Sequence, residues 1–376
     1  MQNRNLKILA DENMPMVEAM FSGFGKVTRA PGRNLKAEDV ADADVLLVRS
    51  ITQVNAALLD SSSVKFVGTA TIGTDHIDQN YLVQNGIGFS NAPGCNADAV
   101  VEYVLSCIYA LADKHGFDPK QRTYGIIGVG NVGGRLEKRF KRLGFKVLLN
   151  DPPRAENEEG FAPLNELLEQ ADVICLHTPL ICDGKHPTQH LLSESELRVL
   201  KPGCLLINAG RGPAIDNQAL LTVGEERPDL LYVLDVWEFE PAVNRKLAER
   251  CEIVSPHIAG YSLDGKIRGT YMLLEALCRF FNESVPQPLA NYLPESDLSF
   301  IEQESRTPLS IMQLIYDPYA DDQRLRETLG LESDEQRKAF DLLRKNYPVR
   351  REFGSMTVLP SDASGELAAL GFQIAD

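Results

Sequence analysis

The stretch Thr123–Asp151, TYGIIGVGNVGGRLEKRFKRLGFKVLLND, combines an apolar strand, a glycine-rich turn, a helix and a second apolar strand. Its glycines follow the G-x-G-x-x-G spacing: Gly128 permits a tight turn, Gly130 lets the backbone approach a pyrophosphate, and Gly133 lets the helix pack closely on the strand. The helix N-terminus offers free N–H groups and the positive end of its dipole. This stretch therefore predicts a dinucleotide-binding unit.

Asp151 ends the second strand of this unit, 151 − 128 = 23 residues after the first glycine. An acidic residue at this position hydrogen-bonds the adenosine ribose hydroxyls of a bound dinucleotide. A 2′-phosphate beside this carboxylate would be repelled by about 4 kcal/mol at about 4 Å and an effective dielectric constant of ~20. Arg154 could partly offset that repulsion. We therefore expect NAD rather than NADP as the cofactor.

The composition is that of an ordinary globular chain with an acidic charge balance. The 376 residues include 38 Lys plus Arg and 53 Asp plus Glu, which gives a formal net charge of −15. Non-specific nucleic-acid binding needs a basic surface, so we do not expect it. No apolar stretch reaches the ~18 residues of a membrane-spanning helix. The seven cysteines include no C-x-x-C pair, which is typical of reduced thiols in a cytosolic protein.

Short apolar strands alternate with helices on both sides of the glycine-rich stretch, as in parallel sheets covered on both faces. In the first ninety residues, strands are predicted at Leu6–Ala10, Asp44–Ser50, Lys65–Ala70 and Ile87–Asn91, and a helix at Val17–Phe24. We expect an α/β fold with two doubly wound parallel-sheet domains, Rossmann- or flavodoxin-like, around a cleft, followed by a small α+β domain. The predicted domains are a substrate-binding domain of residues 1–95 completed by 258–284, an NAD-binding domain of 96–257, and a C-terminal domain of 285–376.

Three polar side chains follow later strands of the predicted NAD-binding domain. They are Arg211 in INAGRG, Glu240 in LDVWEFEP and His257 in IVSPHIAGY. The carboxyl ends of strands are where open α/β sheets bind ligands. An arginine can hold a carboxylate in a bidentate fork, and a histidine can accept a hydroxyl proton as hydride leaves, with a glutamate orienting the imidazole. Together they predict a hydride-transfer site.

Each of these three residues has an ordinary structural alternative when it is considered alone. Arg211 could form a surface salt bridge, Glu240 could be a loop charge before a proline, and His257 could be a hydrogen-bonded histidine at a strand end. Their joint occurrence beside a dinucleotide fold favours the catalytic interpretation.

The segments NAGRG, DVWEFEP and SPHIAGY, downstream of GVGNVG, resemble the D-isomer 2-hydroxyacid dehydrogenase family. The resemblance includes LLVRSITQVN, FVGTATIGTDHID and the C-terminal RKNYPVRRE, so it extends over essentially the whole chain. It implies NAD-dependent oxidation of a small phosphorylated 2-hydroxy acid at C2. Arg211 and Glu240 would be catalytic, with His257 as proton donor or acceptor, and the C-terminal domain would form a homodimer.

The resemblance also implies which residues contact the cofactor and the substrate. Those that would line the cofactor, beside the glycines of the turn, are Asn131, Val132, Asp151, Thr178, Ala209, Gly210, Arg211, Asp235 and Gly260. Those that would touch the substrate are Ser50, Thr71 and Tyr261. Ser50 and Thr71 each follow an apolar strand of the first domain, which independently predicts that they face the cleft.

Several basic and titratable residues have two interpretations each. Arg49 could meet the substrate phosphate or be a solvated loop arginine. His177 is expected to be structural rather than a second base. The C-terminal basic run is typical of a solvated face, with phosphate binding across a dimer as the alternative; it comprises Arg344, Lys345, Arg350 and Arg351.

Two other functions are compatible with the sequence. The protein could oxidise another phosphorylated D-2-hydroxy acid such as 3-phosphoglycerate, or it could be a non-catalytic NADH-sensing protein of the same fold. The set Arg211, Glu240 and His257 favours an enzyme, because a sensor needs no proton relay.

Overall fold

The computed structural model describes residues 4–295 and 307–376. Contacts within the chain divide it into two compact units. Unit 1 contains residues 4–96 and 262–295, and unit 2 contains residues 97–261 and 307–376.

Unit 1 begins as an alternation of short strands and helices. Its elements before residue 97 are β1 (Leu6–Asp11), α1 (Val17–Phe21), β2 (Gly25–Ala30), α2 (Ala37–Val40), β3 (Val45–Val48), α3 (Ala56–Leu59), β4 (Phe66–Thr69), α4 (Gln79–Gln84) and β5 (Gly88–Asn91). The strands are all parallel, in the spatial order β2-β1-β3-β4-β5. This is the 2-1-3-4-5 order of a flavodoxin-like doubly wound sheet.

Strand β2 differs from the sequence-based prediction, which placed a single helix over Val17–Phe24 and no strand after it. The structure ends α1 at Phe21 and adds β2 at the edge of the sheet. An edge strand is covered less than a central one, so β2 carries exposed Lys26 and Arg29 and lacks the continuous apolar run that identified its neighbours.

Unit 2 opens with a long helix and continues with a second alternation of strands and helices. Its elements before residue 262 are α5 (Ala97–His115), β6 (Thr123–Ile127), α6 (Asn131–Arg142), β7 (Lys146–Asn150), α7 (Pro152–Ala155), α8 (Leu164–Gln170), β8 (Val173–Leu176), α9 (Glu194–Arg198), β9 (Leu205–Asn208), α10 (Asn217–Glu226), β10 (Leu231–Leu234), α11 (Arg245–Arg250) and β11 (Ile253–Val254). The six strands are parallel, in the order β11-β10-β9-β8-β6-β7. The winding reverses between β6 and β8, which makes a ligand crevice at their carboxyl ends.

The chain then returns to unit 1 in one long helix, α12 (Leu263–Phe280). Its apolar face packs in the unit 1 core, where Ile267, Leu273 and Leu277 are buried with Phe21 and Phe24. An asparagine and a proline-rich segment follow α12, and unit 1 continues to residue 295, beyond the predicted end at 284.

The described C-terminal residues 307–376 belong to unit 2. Their elements are α13 (Pro308–Ile315), α14 (Pro318–Arg326), α15 (Ser333–Lys345), β12 (Thr357–Val358), α16 (Ser364–Leu370) and β13 (Gln373–Ile374). Ile311, Met312 and Phe353 lie in the same hydrophobic core as Tyr103 and Leu105 of α5. These residues therefore cluster with α5, and the separate third domain predicted from residue 285 stays a prediction.

The expected fold class is confirmed: the structure contains two doubly wound parallel sheets with helices. Helix α5 is buried along most of its length, as its apolar sequence predicts. All seven cysteines are free thiols, six of them buried and Cys182 exposed. Within residues 4–295 and 307–376, no helix combines the length and apolar content needed to cross a membrane.

Candidate active site

The turn from β6 into α6 lies at the crevice where the winding of the unit 2 sheet reverses. Gly128 has a φ of 85°, in the left-handed region that favours glycine. A Cβ on Gly133 would lie 2.1 Å from the Gly128 carbonyl oxygen, whereas a Cβ on Gly130 would meet no atom within 4 Å. The turn is therefore closely packed on its inner side and open at the N-terminus of α6, where phosphates bind.

Asp151 follows β7 and braces this turn. Its Oδ2 accepts a hydrogen bond from the Val129 N–H at 2.8 Å, and its Oδ1 accepts one from the Arg154 N–H at 3.2 Å. The Arg154 guanidinium donates to Glu158 Oε1 at 3.0 Å and to the Val129 carbonyl at 2.8 Å. The exposed ion pair with Glu158 reduces the positive charge that Arg154 offers to a 2′-phosphate, which favours NAD.

Two buried polar side chains follow β8 beside the same turn. The Thr178 Oγ1 and both ring nitrogens of His177 are buried and find no hydrogen-bond partner among the described residues. Burial lowers the pKa of His177 to about 4, so its ring is neutral at pH 7. A Cβ on Gly128 would lie 2.8 Å from the Thr178 backbone nitrogen, which shows how closely the two segments approach. These unpartnered atoms and the open helix terminus fit a dinucleotide that brings its own polar groups.

Arg211 lies in the turn after β9, and two hydrogen bonds from the Asn208 side chain fix the backbone of this turn. The fully buried Asn208 donates from Nδ2 to the Arg211 carbonyl at 3.0 Å and accepts from the Gly210 N–H at 3.1 Å. The Arg211 side chain is exposed, and its Nη1 donates a hydrogen bond to the Gly210 carbonyl at 2.8 Å. Sequence reasoning missed Asn208; the signal was a polar residue ending an apolar strand directly before AGRG.

A glutamate–histidine pair lies at the ends of β10 and β11. The distance between His257 Nδ1 and Glu240 Oε2 is 2.8 Å, and Glu240 Oε1 accepts a hydrogen bond from the Trp237 N–H at 2.9 Å. Burial raises the pKa of the Glu240 carboxyl, but the hydrogen bond and charge of His257, the Trp237 N–H and the charge of Arg344 together lower it. Glu240 is therefore an ionised acceptor at neutral pH.

A buried network holds the segment that carries His257. The Asp235 Oδ1 accepts hydrogen bonds from Ser255 Oγ at 2.6 Å and from the Ile258 N–H at 2.8 Å, and its Oδ2 accepts one from the Ala259 N–H at 3.1 Å. The hydroxyls of Ser255 and Tyr103 lie 2.9 Å apart, which connects this network to α5. Sequence reasoning assigned Asp235 only to the cofactor and missed Ser255, whose signal was a small polar residue two positions before His257.

The other acidic residue of the turn is held by different partners. Glu238 Oε1 lies 2.6 Å from His190 Nε2, and its Oε2 accepts a hydrogen bond from the Asn217 N–H at 3.0 Å. Glu238 therefore does not compete with Glu240 for His257.

Two relatives match this chain over nearly its whole length. A protein named erythronate-4-phosphate dehydrogenase from Pseudomonas putida is 50% identical over 357 residues, covering 93% of this chain and 94% of the relative. A protein of the same name from Pseudomonas syringae pv. tomato is 50% identical over 371 residues, covering 97% of this chain and 98% of the relative. The chain belongs to the erythronate-4-phosphate dehydrogenase family.

Further comparisons place this family member among the NAD-dependent dehydrogenases. Residues 107–259 match the family model of the D-isomer specific 2-hydroxyacid dehydrogenase NAD binding domain, and residues 293–371 match a domain of unknown function. An NAD⁺-bound 3-phosphoglycerate dehydrogenase from Entamoeba histolytica is 25% identical with a TM-score of 0.62, covering 75% of this chain and 97% of that chain. The family resemblance and the NAD cofactor expected from the sequence are both confirmed.

Unit 1 carries two of the substrate residues that the family resemblance implies. Ser50 is exposed just after β3, and the Thr71 hydroxyl lies 2.8 Å from the hydroxyl of Thr69. Arg49 donates from Nε to the Oδ1 of fully buried Asp11 at 2.8 Å, so it is an ion-paired residue rather than a solvated loop arginine.

Tyr261, the third residue that the resemblance places at the substrate, packs against the C-terminal segment. Its ring meets that of Tyr347 edge to face, with 5.7 Å between the centroids. The neighbouring Gly260 is half-buried. Arg350 is 4% exposed and donates to the carbonyls of Ala259 and Ala99 at 3.2 and 2.8 Å. The sequence-based prediction of a solvated face was therefore wrong for Arg350, because these two carbonyls accept its hydrogen bonds in place of water, with the Glu102 carboxyl group 4.0 Å away.

Proposed function

We propose that this protein oxidises 4-phospho-D-erythronate at C2 with NAD to (R)-3-hydroxy-2-oxo-4-phosphobutanoate, a step in pyridoxal 5′-phosphate biosynthesis. The observation that carries this proposal is the 2.8 Å hydrogen bond between His257 Nδ1 and Glu240 Oε2 at the sheet edge that holds the dinucleotide turn. The choice of substrate is supported by the name of relatives that are about half identical to this chain.

His257 would accept the proton of the substrate C2 hydroxyl. A carboxylate can only accept a hydrogen bond, so Glu240 fixes the imidazole proton on Nδ1 and leaves the lone pair on Nε2. When the proton passes to Nε2, a C–O double bond forms and the C2–H bond breaks, its electron pair leaving as hydride. Bound NAD supplies the hydride acceptor. Glu240 then stabilises the imidazolium that has formed.

Arg211 would hold the substrate carboxylate. Its guanidinium is exposed and makes no ion pair within the part of the chain that the structure describes. A planar guanidinium can bind a carboxylate through two parallel hydrogen bonds, which would orient C2. We further propose that Ser50, Thr71 and Tyr261 contact the substrate.

The cofactor would be held by the crevice between β6 and β8. Gly130 leaves room for the pyrophosphate, Gly128 and Gly133 allow the tight turn and the close helix packing beside it, and Asp151 would reach the adenosine ribose. The remaining proposed cofactor residues are Asn131, Val132, Thr178, Ala209, Gly210, Arg211, Asp235 and Gly260.

Steady-state oxidation of two substrates tests this function. With NAD, we expect the protein to oxidise 4-phospho-D-erythronate with a kcat/KM at least ~100-fold above that for 3-phosphoglycerate, a difference of about 2.7 kcal/mol in transition-state binding. A preference for 3-phosphoglycerate would establish the alternative dehydrogenase. NADH binding without oxidation of either substrate would establish a non-catalytic sensor.

We also propose a homodimer formed through the C-terminal residues and a cytosolic location. Support for the dimer comes from exposed apolar side chains in this segment, with Leu342 at 52% and Val349 at 78% exposure. Support for the location comes from the seven free thiols, which are typical of a reducing compartment.

A further inference from the structure

Arg344, in the last turn of α15, has an unusual environment for an arginine. Its guanidinium carbon lies 5.8 Å from the ring centroid of Tyr261 and 6.0 Å from that of Phe340. The side chain is half-buried, and its Nε is buried without a hydrogen-bond partner among the described residues. Arg344 forms no ion pair within residues 4–295 and 307–376. It is therefore a positioned cation that makes no ion-pair contact with any carboxylate of the described residues.

Other arginines of the same C-terminal segment have partners. Arg324 pairs with Asp321 at 2.7 Å, and Arg326 pairs with Asp322 at 2.8 Å. Half-buried arginines normally have an ion-pair partner. The lack of one at Arg344 among the described residues indicates that an anionic ligand supplies the partner.

The place of Arg344 in the fold points to the active site of the same chain. Tyr261, which it overlies, follows His257 by four residues. Burial raises the pKa of Glu240, and the positive charge of Arg344 helps to lower it, after the larger lowering effects of His257 and the Trp237 N–H. The guanidinium therefore lies within electrostatic range of the catalytic pair.

The substrate under the proposed function carries two anionic ends. Arg211 is available for the carboxylate, so the phosphate requires a second cation. A guanidinium packed on an aromatic ring keeps its planar fork oriented and matches the geometry of phosphate oxygens. Lys345, the next residue, is exposed and makes no cation–π contact among the described residues.

We propose that Arg344 binds the phosphate of the substrate in the active site of its own chain, with Tyr261 orienting its guanidinium. This inference rests on the proposed function for the identity of the phosphorylated substrate. It makes the C-terminal segment a part of substrate selection in addition to its role in the core of unit 2.

The test compares Arg344→Gln with the matched surface variant Lys345→Gln. Losing a charge-assisted hydrogen bond to phosphate should raise KM for 4-phospho-D-erythronate roughly 10–100-fold in Arg344→Gln. The same variant should lower kcat/KM for D-erythronate, which lacks the phosphate, far less than kcat/KM for 4-phospho-D-erythronate. Arg344→Lys should recover part of the loss, since it keeps the charge but not the fork. Lys345→Gln should match the wild type in each measurement.

Calorimetric titration of inorganic phosphate into the NAD-saturated protein gives a readout independent of turnover. We expect the phosphate Kd to rise at least ~10-fold in Arg344→Gln. Unchanged KM and unchanged phosphate Kd would overturn the inference. An equal loss of kcat/KM on both substrates with unchanged phosphate Kd would also overturn it, since Arg344 would then only support Glu240.

The two proposals fail in different ways. A wild-type protein that does not oxidise 4-phospho-D-erythronate, but loses phosphate binding on Arg344→Gln, would retain the phosphate site and refute the proposed function. Oxidation of that substrate with no effect of Arg344→Gln on KM or phosphate binding would refute only the phosphate site.

Discussion

At the scale of single residues, His257 owes its position to an uncommon backbone conformation. Its φ is 57°, in the left-handed region that few residues other than glycine adopt. Such a conformation costs about 1–3 kcal/mol and persists only where surrounding contacts fix it. The His257 N–H donates a hydrogen bond to the Asp235 carbonyl at 2.7 Å. The next two N–H groups of the chain, those of Ile258 and Ala259, donate to the Asp235 carboxylate.

Replacing His257 by Asn should separate proton transfer from cofactor binding. Asn tolerates left-handed backbone, so the turn should keep its shape. We expect turnover to fall by about 10²–10⁴ and the acidic limb of the rate profile to disappear, since that limb reports a protonated imidazole that cannot accept a proton. Quenching of Trp237, the only tryptophan, by bound NADH should stay nearly unchanged. Near-normal turnover with the wild-type pH profile would remove His257 from the mechanism.

Asp151 should determine the preference for NAD over NADP. Asp151→Asn removes the negative charge while keeping an oxygen acceptor for the Val129 N–H, so the ratio of NADP to NAD affinity should rise roughly 10–100-fold. Adding Glu158→Gln frees Arg154 and should raise NADP affinity further. Fluorescence titration with both reduced cofactors measures this ratio. A wild-type protein that already prefers NADP would contradict the prediction that Asp151 selects NAD.

His177 should make the stability of unit 2 depend on pH. Its folded pKa of about 4 lies below the unfolded value of about 6.5, so the unfolded chain takes up a proton first as the pH falls. Its contribution is complete above pH ~6.5 and is lost between there and pH ~4, about 2 kcal/mol of it by pH 5. His177→Leu should flatten the pH dependence of the free energy of unfolding by that amount. Denaturant unfolding at several pH values, monitored by Trp237 fluorescence, measures this. Equal slopes for both proteins would contradict this.

At the scale of elements, the turn from β6 into α6 needs two of its glycines for different reasons. A Cβ on Gly133 would meet the Gly128 carbonyl at 2.1 Å, which forces the helix away from the strand. A Cβ on Gly130 meets no protein atom within 4 Å. Gly133 is therefore needed for packing, and Gly130 leaves space where the pyrophosphate is expected.

Alanine at each position should distinguish these two needs. Gly133→Ala should lower the free energy of unfolding by about 1–3 kcal/mol, as overpacking does, and weaken NAD binding with it. Gly130→Ala should leave the stability of the cofactor-free protein within ~0.5 kcal/mol of the wild type and still weaken NAD. Thermal unfolding and NADH titration measure both effects. A Gly130→Ala protein with wild-type NAD affinity would place the pyrophosphate elsewhere.

The turns after β10 and β11 form one structural element through Ser255. Its hydroxyl bonds Asp235 and lies beside Tyr103 of α5, and the Trp237 Nε1 donates to its carbonyl at 3.1 Å. His257, the proposed proton acceptor, is thereby connected to helix α5, which is buried along most of its length. Rigid support of this kind keeps a catalytic group within hydrogen-bond reach of its partner.

At the scale of the whole molecule, the C-terminal residues complete the core of unit 2. Arg350 bonds two carbonyls of this unit, and Ile311 and Phe353 are buried with α5. Truncation before this segment would therefore expose core residues. Surface substitutions are the suitable test of assembly.

A dimer through the C-terminal segment should be broken by charge on its exposed apolar surface. Leu342→Asp with Val349→Asp should shift the protein from dimer to monomer in sedimentation velocity, since each buried charge at an interface is costly. Val83→Asp, at a 79% exposed position of unit 1, is the matched control and should stay dimeric. A double variant with the sedimentation of the wild type would place the interface elsewhere or exclude a dimer.

The sequence alone predicted the parts of the fold whose signals are local. The central strands β3, β6 and β8 are continuous apolar runs, and the glycine spacing after β6 identifies the cofactor turn without any tertiary information. Strand β2 was missed because its edge position removes the apolar signal.

Arg211, Glu240 and His257 were predicted from the rule that parallel strands bring their carboxyl ends to one edge, and their catalytic roles stay predictions. Only the tertiary structure decided which groups support them. Ser255 and the cations Arg344 and Arg350 have partners distant in sequence, from the 2.6 Å bond of Ser255 to Asp235 up to the contact of Arg350 with Ala99. A residue's type and spacing determine its own chemistry, but whether a charge is solvated or buried depends on the chain that packs against it. For that reason two arginines of one basic run have different environments.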